Sequence, residues 1–356
     1  MKPKSVLVVV TRRIGDVLLA TPLIRSLKRA WPQARIDALV FKGTEGVLSA
    51  NPDVHRVLTV PQRAGLGEHA RLYARLFRRY DVALSLLTGD RPTLYAAAFG
   101  RWKAGLQTPT AKESWKRRLL DRWVPFDNLD THTVRMHLAL AETLAVPQTA
   151  EVVVSWGERD AARVTEALGS DAPFAVLHPF PKFNYKKWHA AGWRELGAWI
   201  AERGLRIVLT GGPDAAEREY VAAVARELPA PLNLAGGLSL PMLGALLSRA
   251  SLYVGPDTAA THMAAAVGIP TVALFGPSNP VKWGPWPRGH PAERNPWARV
   301  GSGRVGNVFL VQGEKSCVPC LLEGCGRHVE SYSDCLQELP ASRVIDAARA
   351  LLEDRG

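Results

Sequence analysis

Two separate series of short apolar runs, each run followed by a helical pattern, constrain this chain more than any other feature. In the first series "SVLVVV" (5–10), "RIDALV" (35–40), "RVLTV" (56–60) and "DVALSLL" (81–87) are short and almost continuously apolar. They read as strands buried on both faces. Helical patterns such as "DVLLATPLIRSLKRAWP" lie between them. The second series begins near Pro173 with "FAVLHPF" (174–180), "RIVLTGG" (206–212), "PLNLAG" (231–236), "LYVGP" (252–256) and "TVALFGPS" (271–278). Its expected helices are "GWRELGAWIAERG", ending at Gly204, "AAEREYVAAVARELP" and "SLPMLGALLSRA". Strands alternating with helices build a parallel sheet with crossover helices. At 356 residues the chain exceeds one ordinary core. The expectation is an α/β protein of two doubly wound, Rossmann-like domains, residues 1–160 and 161–340, facing a central cleft, with ligands beyond the carboxyl ends of the strands. The helix-and-loop stretch 154–173 separates the two series, and the basic, poorly periodic stretch from about 100 to 130 is expected to form loops and short helices.

Charge is distributed unevenly. The chain carries a formal +12, and residues 1–150 hold 24 Lys+Arg against 12 Asp+Glu, so the remainder is balanced. A field of that sign attracts nucleic acid, anionic lipid head groups or a phosphorylated substrate; ordinary solubility charge is the plain alternative. No uninterrupted apolar run of 18 residues exists, which argues against a transmembrane helix. At the start, "MKPKSVLVVVTRRIGD", Arg12 and Arg13 cut the apolar run off and no small-residue cleavage site follows, so a cytoplasmic location is expected.

Three loops at strand ends carry reactive side chains. After the first strand, Gly15-Asp16 leads into a helix. Asp16 reads either as a partner of the helix dipole or as a general base, with Arg12 and Arg13 beside it to hold an anion. The loop "LHPFPKFNYKKWHAAGW" clusters Lys182, Lys186 and Lys187, which would neutralise phosphate or simply stay solvated; it has neither the Gly-x-Gly-x-x-Gly nor the P-loop pattern. In "GPDTAATHMAAAVG", Asp257 reads as an N-cap or as an acceptor for sugar hydroxyls. Thr258, Ala259 and the first helical N–H groups suit an anion, and His262 lies one turn beyond Thr258.

Taken together, "IGDVLLATPLIRSLKRAWPQARIDALV", "HPFPKFNYKKWHAAGWREL" and "GPDTAATHMAAAVGIPTVALFGPSNP" resemble, in this order, the signatures of glycosyltransferase family 9, the bacterial ADP-heptose:lipopolysaccharide heptosyltransferases. The resemblance covers nearly the whole chain, is most specific in the last motif, and is nearest to the heptosyltransferase III type. It implies the GT-B fold, with the acceptor on the N-terminal domain and ADP-heptose on the C-terminal one. By position Asp16 would be the general base of an inverting transfer. Lys186, with Thr258 and the helix start at 257–260, would meet the leaving diphosphate, and no cofactor would be required for catalysis. Asp257 would bind donor hydroxyls, and Glu217, with Asp214 as substitute, the ribose. Two positions depart from the family pattern: Lys182 stands where a hydroxyl residue is usual, and Ala259 where glycine is usual. The acceptor implied is the phosphorylated inner core or lipid A portion of lipopolysaccharide, at the cytoplasmic face of the inner membrane, with peripheral membrane contact. Arg12, Arg13, Arg75, Arg78 and Arg79, with Trp115 nearby, are its candidate contacts, each arginine otherwise a solvated helix face. The last stretch, "PASRVIDAARALLEDRG" (341–356 within it), is an amphipathic helix with Val344, Ala348, Leu351 and Leu352 on one face. In GT-B enzymes such a helix crosses back to the N-terminal domain.

All four cysteines, Cys317, Cys320, Cys325 and Cys335, fall in one C-x2-C-x4-C-x9-C array. Structural zinc or iron, reduced thiols and disulfides are the open readings, with His328 a substitute ligand. Some protein-modifying heptosyltransferases of the family carry a four-cysteine iron motif, so a transferase that glycosylates a protein is the runner-up. A GT-B-fold nucleotide-sugar epimerase is another. Nucleic-acid binding is not expected, because no recognised motif supports it.

Overall fold

Most of the apolar runs form strands that bury both faces, which only the interior of a covered sheet allows, and the runs at 56–60 and 231–236 become edge strands with exposed positions. The structure, a computed structural model, describes residues 2–353. The chain divides into two units, one running to Ser155 and completed by Pro291–Asn295, the other formed by Trp156–His290 and the chain from Pro296 onward.

Unit one holds six strands: β1 (Ser5–Val9), β2 (Arg35–Phe41), β3 (Arg56–Val60), β4 (Tyr80–Ser85), β5 (Gly100–Gln107) and β6 (Arg122–Pro125). All are parallel, in the order β3-β2-β1-β4-β5-β6. Val6 to Val10 are fully buried. Because β1 lies between β2 and β4, the strand order reverses beside it, and the loop after β1 opens at the switch point of the sheet. Of the loops and short helices expected over 100–130, the short helices are present at Ala111–Glu113 and Ser114–Arg118, but β5 and β6 correct the rest. Ala104 to Gln107 are buried, but Arg101, Lys103 and Gly105 interrupt the apolar run that would have announced a strand.

Unit two repeats the plan with β7 (Phe174–Leu177), β8 (Arg206–Leu209), β9 (Leu232–Asn233), β10 (Leu252–Pro256), β11 (Thr271–Phe275), β12 (Gly303–Val305) and β13 (Val308–Gln312). Their order is β12-β13-β11-β10-β7-β8-β9, parallel except for the β12/β13 pair. β7 therefore occupies the place that β1 has in unit one, with its switch point against β10. The helix Ala190–Glu202 ends as expected, with Gly204 at φ +71°.

Two expectations about the chain path change. A boundary at residue 160 falls inside the helix Glu158–Leu168, which belongs wholly to unit two. The C-terminal helix, Ala341–Glu353, spends its apolar face in unit two rather than on the first domain. Val344, Ala347, Ala348 and Leu351 are buried in one core with Trp188, Trp193 and Leu196, and the helix packs on Ala190–Glu202, β13 and β11. The segment that returns to unit one is instead Pro291–Asn295. There the Asn295 Oδ1 accepts from the His132 N–H at 3.1 Å, its Nδ2 donates to the Asp130 carbonyl at 2.6 Å, and Arg135 Nε donates to the Ala292 carbonyl at 2.9 Å.

Candidate active site

In unit one, Asp16 stands in the first turn of the helix Ile14–Leu18, at the carboxyl edge of the sheet and at its switch point. It is 8% exposed, and Arg12 Nε lies 3.6 Å from its Oδ1. The cap position of that helix is held by Arg13, without a side-chain cap bond. Arg12 and Arg13 thus share an edge with Asp16. Arg75, Arg78 and Arg79 do not. Arg75 lies in the last turn of the helix Leu66–Leu76, and Arg78 and Arg79 directly precede β4. A crossover helix runs against the strands and delivers its end to the amino edge, roughly 20 Å from the carboxyl edge along a six-residue strand. All three are exposed there. Sequence reasoning missed Lys116, which is 4% exposed and not a surface charge as the basic stretch around it suggested. Its Nζ donates to the Thr88 carbonyl at 2.7 Å and pairs with Asp90 at 3.0 Å and with Glu113, tying its helix to the loop after β4. The Glu113/Lys116 spacing is the signal that was available.

In unit two, three loops at the carboxyl edge converge. Lys186, in the turn Asn184–Lys186 after β7, places its Nζ 2.5 Å from Asp257 Oδ2 after β10. The helix Ala259–Val267 is capped by Thr258, not by Asp257: Thr258 Oγ1 accepts from the Thr261 N–H at 3.5 Å, while Thr261 Oγ1 donates to the Pro256 carbonyl at 2.5 Å. Asp257 is thereby released from capping and turned toward Lys186. Burial works to raise its pKa, but the Lys186 charge, joined by His262 only at the acid pH where that ring is protonated, and hydrogen bonds with Lys186 and Ser278 outweigh burial and hold the carboxylate below its ordinary value. His262 Nε2 lies 3.9 Å from Asp257 Oδ1. Burial depresses this imidazole to about 4, so at neutral pH it meets Asp257 uncharged, and its buried Nδ1 has no hydrogen-bond partner among the described residues.

Of the three lysines in the loop after β7, only Lys186 reaches the carboxylate. Lys182 is exposed beside the Phe183 ring. Lys187 turns inward between the rings of Phe180 and Tyr220, 4.4 Å and 4.6 Å from their centroids, and desolvation lowers its pKa. After β8, Asp214 caps the helix Ala215–Arg226 through the N–H groups of Ala216 and Glu217. That role accounts for it. Glu217 instead reaches back to accept from the Gly212 N–H at 2.6 Å; burial raises its pKa, and Asp214 adds to this. Ala259, next to the Thr258 cap, opens the helix at the same edge. His178, also missed, sits at the end of β7 with Nδ1 3.0 Å from Thr210 Oγ1 and is depressed by burial to about 4.

The cysteines are free thiols. Among the described residues no three His, Cys, Asp or Glu side chains are gathered as metal ligands. The four nevertheless share one electrostatic neighbourhood: burial, followed by Cys320, Cys325 and Cys317, pushes Cys335 up to about 12.

A basic group paired with a carboxylate beside a helix start, at a switch point, is suited to hold a diphosphate and the sugar attached to it. Comparison with known proteins bears on that chemistry. Residues 57–294 match the family described as glycosyltransferase family 9 (heptosyltransferase). The chain is 30% identical to lipopolysaccharide heptosyltransferase 1 of Pseudomonas aeruginosa, over 90% of this chain and 87% of that protein. It is 29% identical to lipopolysaccharide heptosyltransferase 3 of Escherichia coli, over 76% and 82% respectively. The E. coli heptosyltransferase WaaC, solved with ADP, superposes with a TM-score of 0.70 at 22% identity, covering 99% of this chain and all of that one. Two Rossmann-like units of this order make the GT-B fold class. The chain belongs to glycosyltransferase family 9 and is a transferase of the heptosyltransferase type.

Proposed function

We propose that this enzyme transfers a heptose from ADP-heptose to the phosphorylated inner core of lipopolysaccharide, with inversion at the anomeric carbon. The observation that carries the reading is the Lys186–Asp257 pair beside the Thr258-capped helix, at the switch point between β7 and β10. Asp16 takes the proton of the acceptor hydroxyl as its oxygen bonds to the anomeric carbon. The bond from that carbon to the diphosphate oxygen breaks, and ADP leaves with the electron pair. Lys186 and the N–H groups at Thr258–Ala260 face the charge that develops on the diphosphate. Asp257 accepts from donor sugar hydroxyls, Glu217 from the ribose, and Lys182 supplies a further cation near the phosphates. Arg12 and Arg13, on the edge of Asp16, engage acidic groups of the acceptor. Arg75, Arg78 and Arg79, on the opposite edge, suit the anionic membrane surface in which such an acceptor is embedded. No helix among the described residues is long and apolar enough to cross a membrane, and the association proposed is peripheral. By chemistry four thiols are a ligand set for structural zinc or iron, although no three of them are gathered as ligands among the described residues; elemental analysis of untagged protein that finds neither metal overturns a metal role for them.

The test of function is a transfer assay with ADP-heptose and purified heptose-deficient core acceptors. The wild type is expected to transfer, and Asp16→Ala to lose about two to four orders of magnitude in kcat. Undiminished transfer by the variant overturns Asp16 as base. Donor turnover without acceptor dependence overturns the transferase reading in favour of an epimerase, and transfer to a protein alone redirects the acceptor assignment.

A further inference from the structure

The peptide carbonyls on both sides of Lys186 are held by side chains from one short element. Ser333 Oγ donates to the Tyr185 carbonyl at 2.8 Å, and Gln337 Nε2 donates to the Lys187 carbonyl at 2.8 Å. Ser333 precedes and Gln337 ends the short helix Asp334–Gln337. Ser333 is 1% exposed, so its bond to Tyr185 is shielded from competing water. Between them, Cys335 and Leu336 are buried in the core of unit two. They press on the loop after β11: a Cβ at Gly276 would lie 2.8 Å from Leu336 Cγ and 3.0 Å from Cys335 Sγ. Two more bonds complete the attachment. Asn184 Nδ2 donates to the Glu330 carbonyl at 3.1 Å, and the Leu321 N–H donates to the Pro277 carbonyl at 2.9 Å.

None of these bonds touches the Lys186 ammonium. Each fixes a peptide plane: the Tyr185 carbonyl lies in the plane that leads into Lys186, and the Lys187 carbonyl in the plane one residue beyond it, so the two anchor the backbone on either side of the point where the Lys186 side chain leaves it. A lysine has a long flexible stem and is not pre-organised by its own geometry. Reaching a buried carboxylate and a diphosphate from a turn therefore depends on how firmly the backbone beneath it is held.

We infer that Ser333 and Gln337 are positioning residues for Lys186, and that the cysteine-bearing segment around them serves to hold this brace. The inference rests on Lys186 as the diphosphate-binding group. It is tested by calorimetric titration of the full-length protein with ADP. The variants are Ser333→Ala, Gln337→Leu and the conservative Ser333→Thr, each in wild-type and Lys186→Ala backgrounds. Ser333→Ala and Gln337→Leu are expected to weaken ADP binding about threefold to tenfold, with Ser333→Thr restoring most of the loss. In the Lys186→Ala background the same changes are expected to do nothing further. In transfer assays the donor KM rises in step, while the acceptor KM holds. Equal weakening in both backgrounds means general loosening of the fold and overturns the inference alone, as does no weakening in either. ADP that fails to bind the wild type, or binds Lys186→Ala equally well, overturns the reading of the site as well.

Discussion

Asp257 and Thr258 are adjacent residues, both good helix caps, and which one caps decides what the other is free to do. With Thr258 in the cap, Asp257 meets Lys186 at 2.5 Å and a neutral His262 at 3.9 Å. A carboxylate between a cation and an imidazole held uncharged keeps its negative charge, so it can accept from sugar hydroxyls. The two buried histidines have a consequence for stability. His262 and His178 are each depressed to about 4 from an ordinary 6.5, so the unfolded chain takes up protons that the folded protein refuses. Their contribution is complete above about pH 6.5 and is lost progressively as the pH falls toward about 4. Asp257, depressed below 3.8, loses its contribution only at lower pH, and Glu217, raised by burial, runs in the opposite sense above 4.5. Denaturant unfolding of the wild type should therefore show stability falling between about pH 6.5 and pH 4.5, with a shallower slope for His178→Gln and for His262→Gln. Slopes unchanged by both substitutions would contradict the burial assigned to these rings.

The helix Ala259–Val267 shows what a cap contributes at the scale of an element. Thr258→Ala should cost about 1 kcal/mol of stability and weaken ADP binding, whereas Thr258→Ser should retain both, because the bond to the Thr261 N–H needs only an oxygen. Equal losses for the two variants would assign the role to the methyl group instead. The choice between Asp257 and Thr258 could not be read in the chain, since one residue of register separates two equally good caps. Strand positions were far more legible. β3 and β10 match their expected limits residue for residue: β10 is buried on both faces and leaves an unbroken apolar record, while β3, at the sheet edge, buries Leu58 and Val60 on one face. β5 left no such record, since Lys103 and Gly105 sit within it, and β12 and β13 lie beyond the second series. Side-chain direction within a turn was illegible as well. Lys182, Lys186 and Lys187 read as one basic cluster, yet one is exposed, one meets Asp257 and one lies between two rings. Arg75, Arg78 and Arg79 share a basic stretch of the chain, but only topology reveals that this stretch ends at the amino edge.

For the whole molecule, the path of the last third of the chain matters most. Pro291–Asn295 completes unit one, and everything after it belongs to unit two. The C-terminal helix lies far in sequence from the loop after β7, yet it shares a core with that loop. Trp188, two residues after Lys186, is fully buried in the core that contains Val344, Ala348 and Leu351. Its Nε1 donates to the Leu339 carbonyl at 2.8 Å, just ahead of the helix. Leu351→Ala should accordingly cost about 2–5 kcal/mol, the usual range for a buried leucine, although it lies outside every loop of the site. A nucleotide held as proposed binds only the folded site, so ADP should raise the apparent stability of whichever unit it occupies. Saturating ADP is therefore expected to recover most of the unfolding midpoint lost in Leu351→Ala. An equal loss at Leu39, buried in the core of unit one, should recover little unless the two units unfold as one. Equal rescue of Leu351→Ala and Leu39→Ala would show a single cooperative transition. Rescue of Leu39→Ala alone would place the nucleotide in unit one and reverse the assignment of donor and acceptor to the two units.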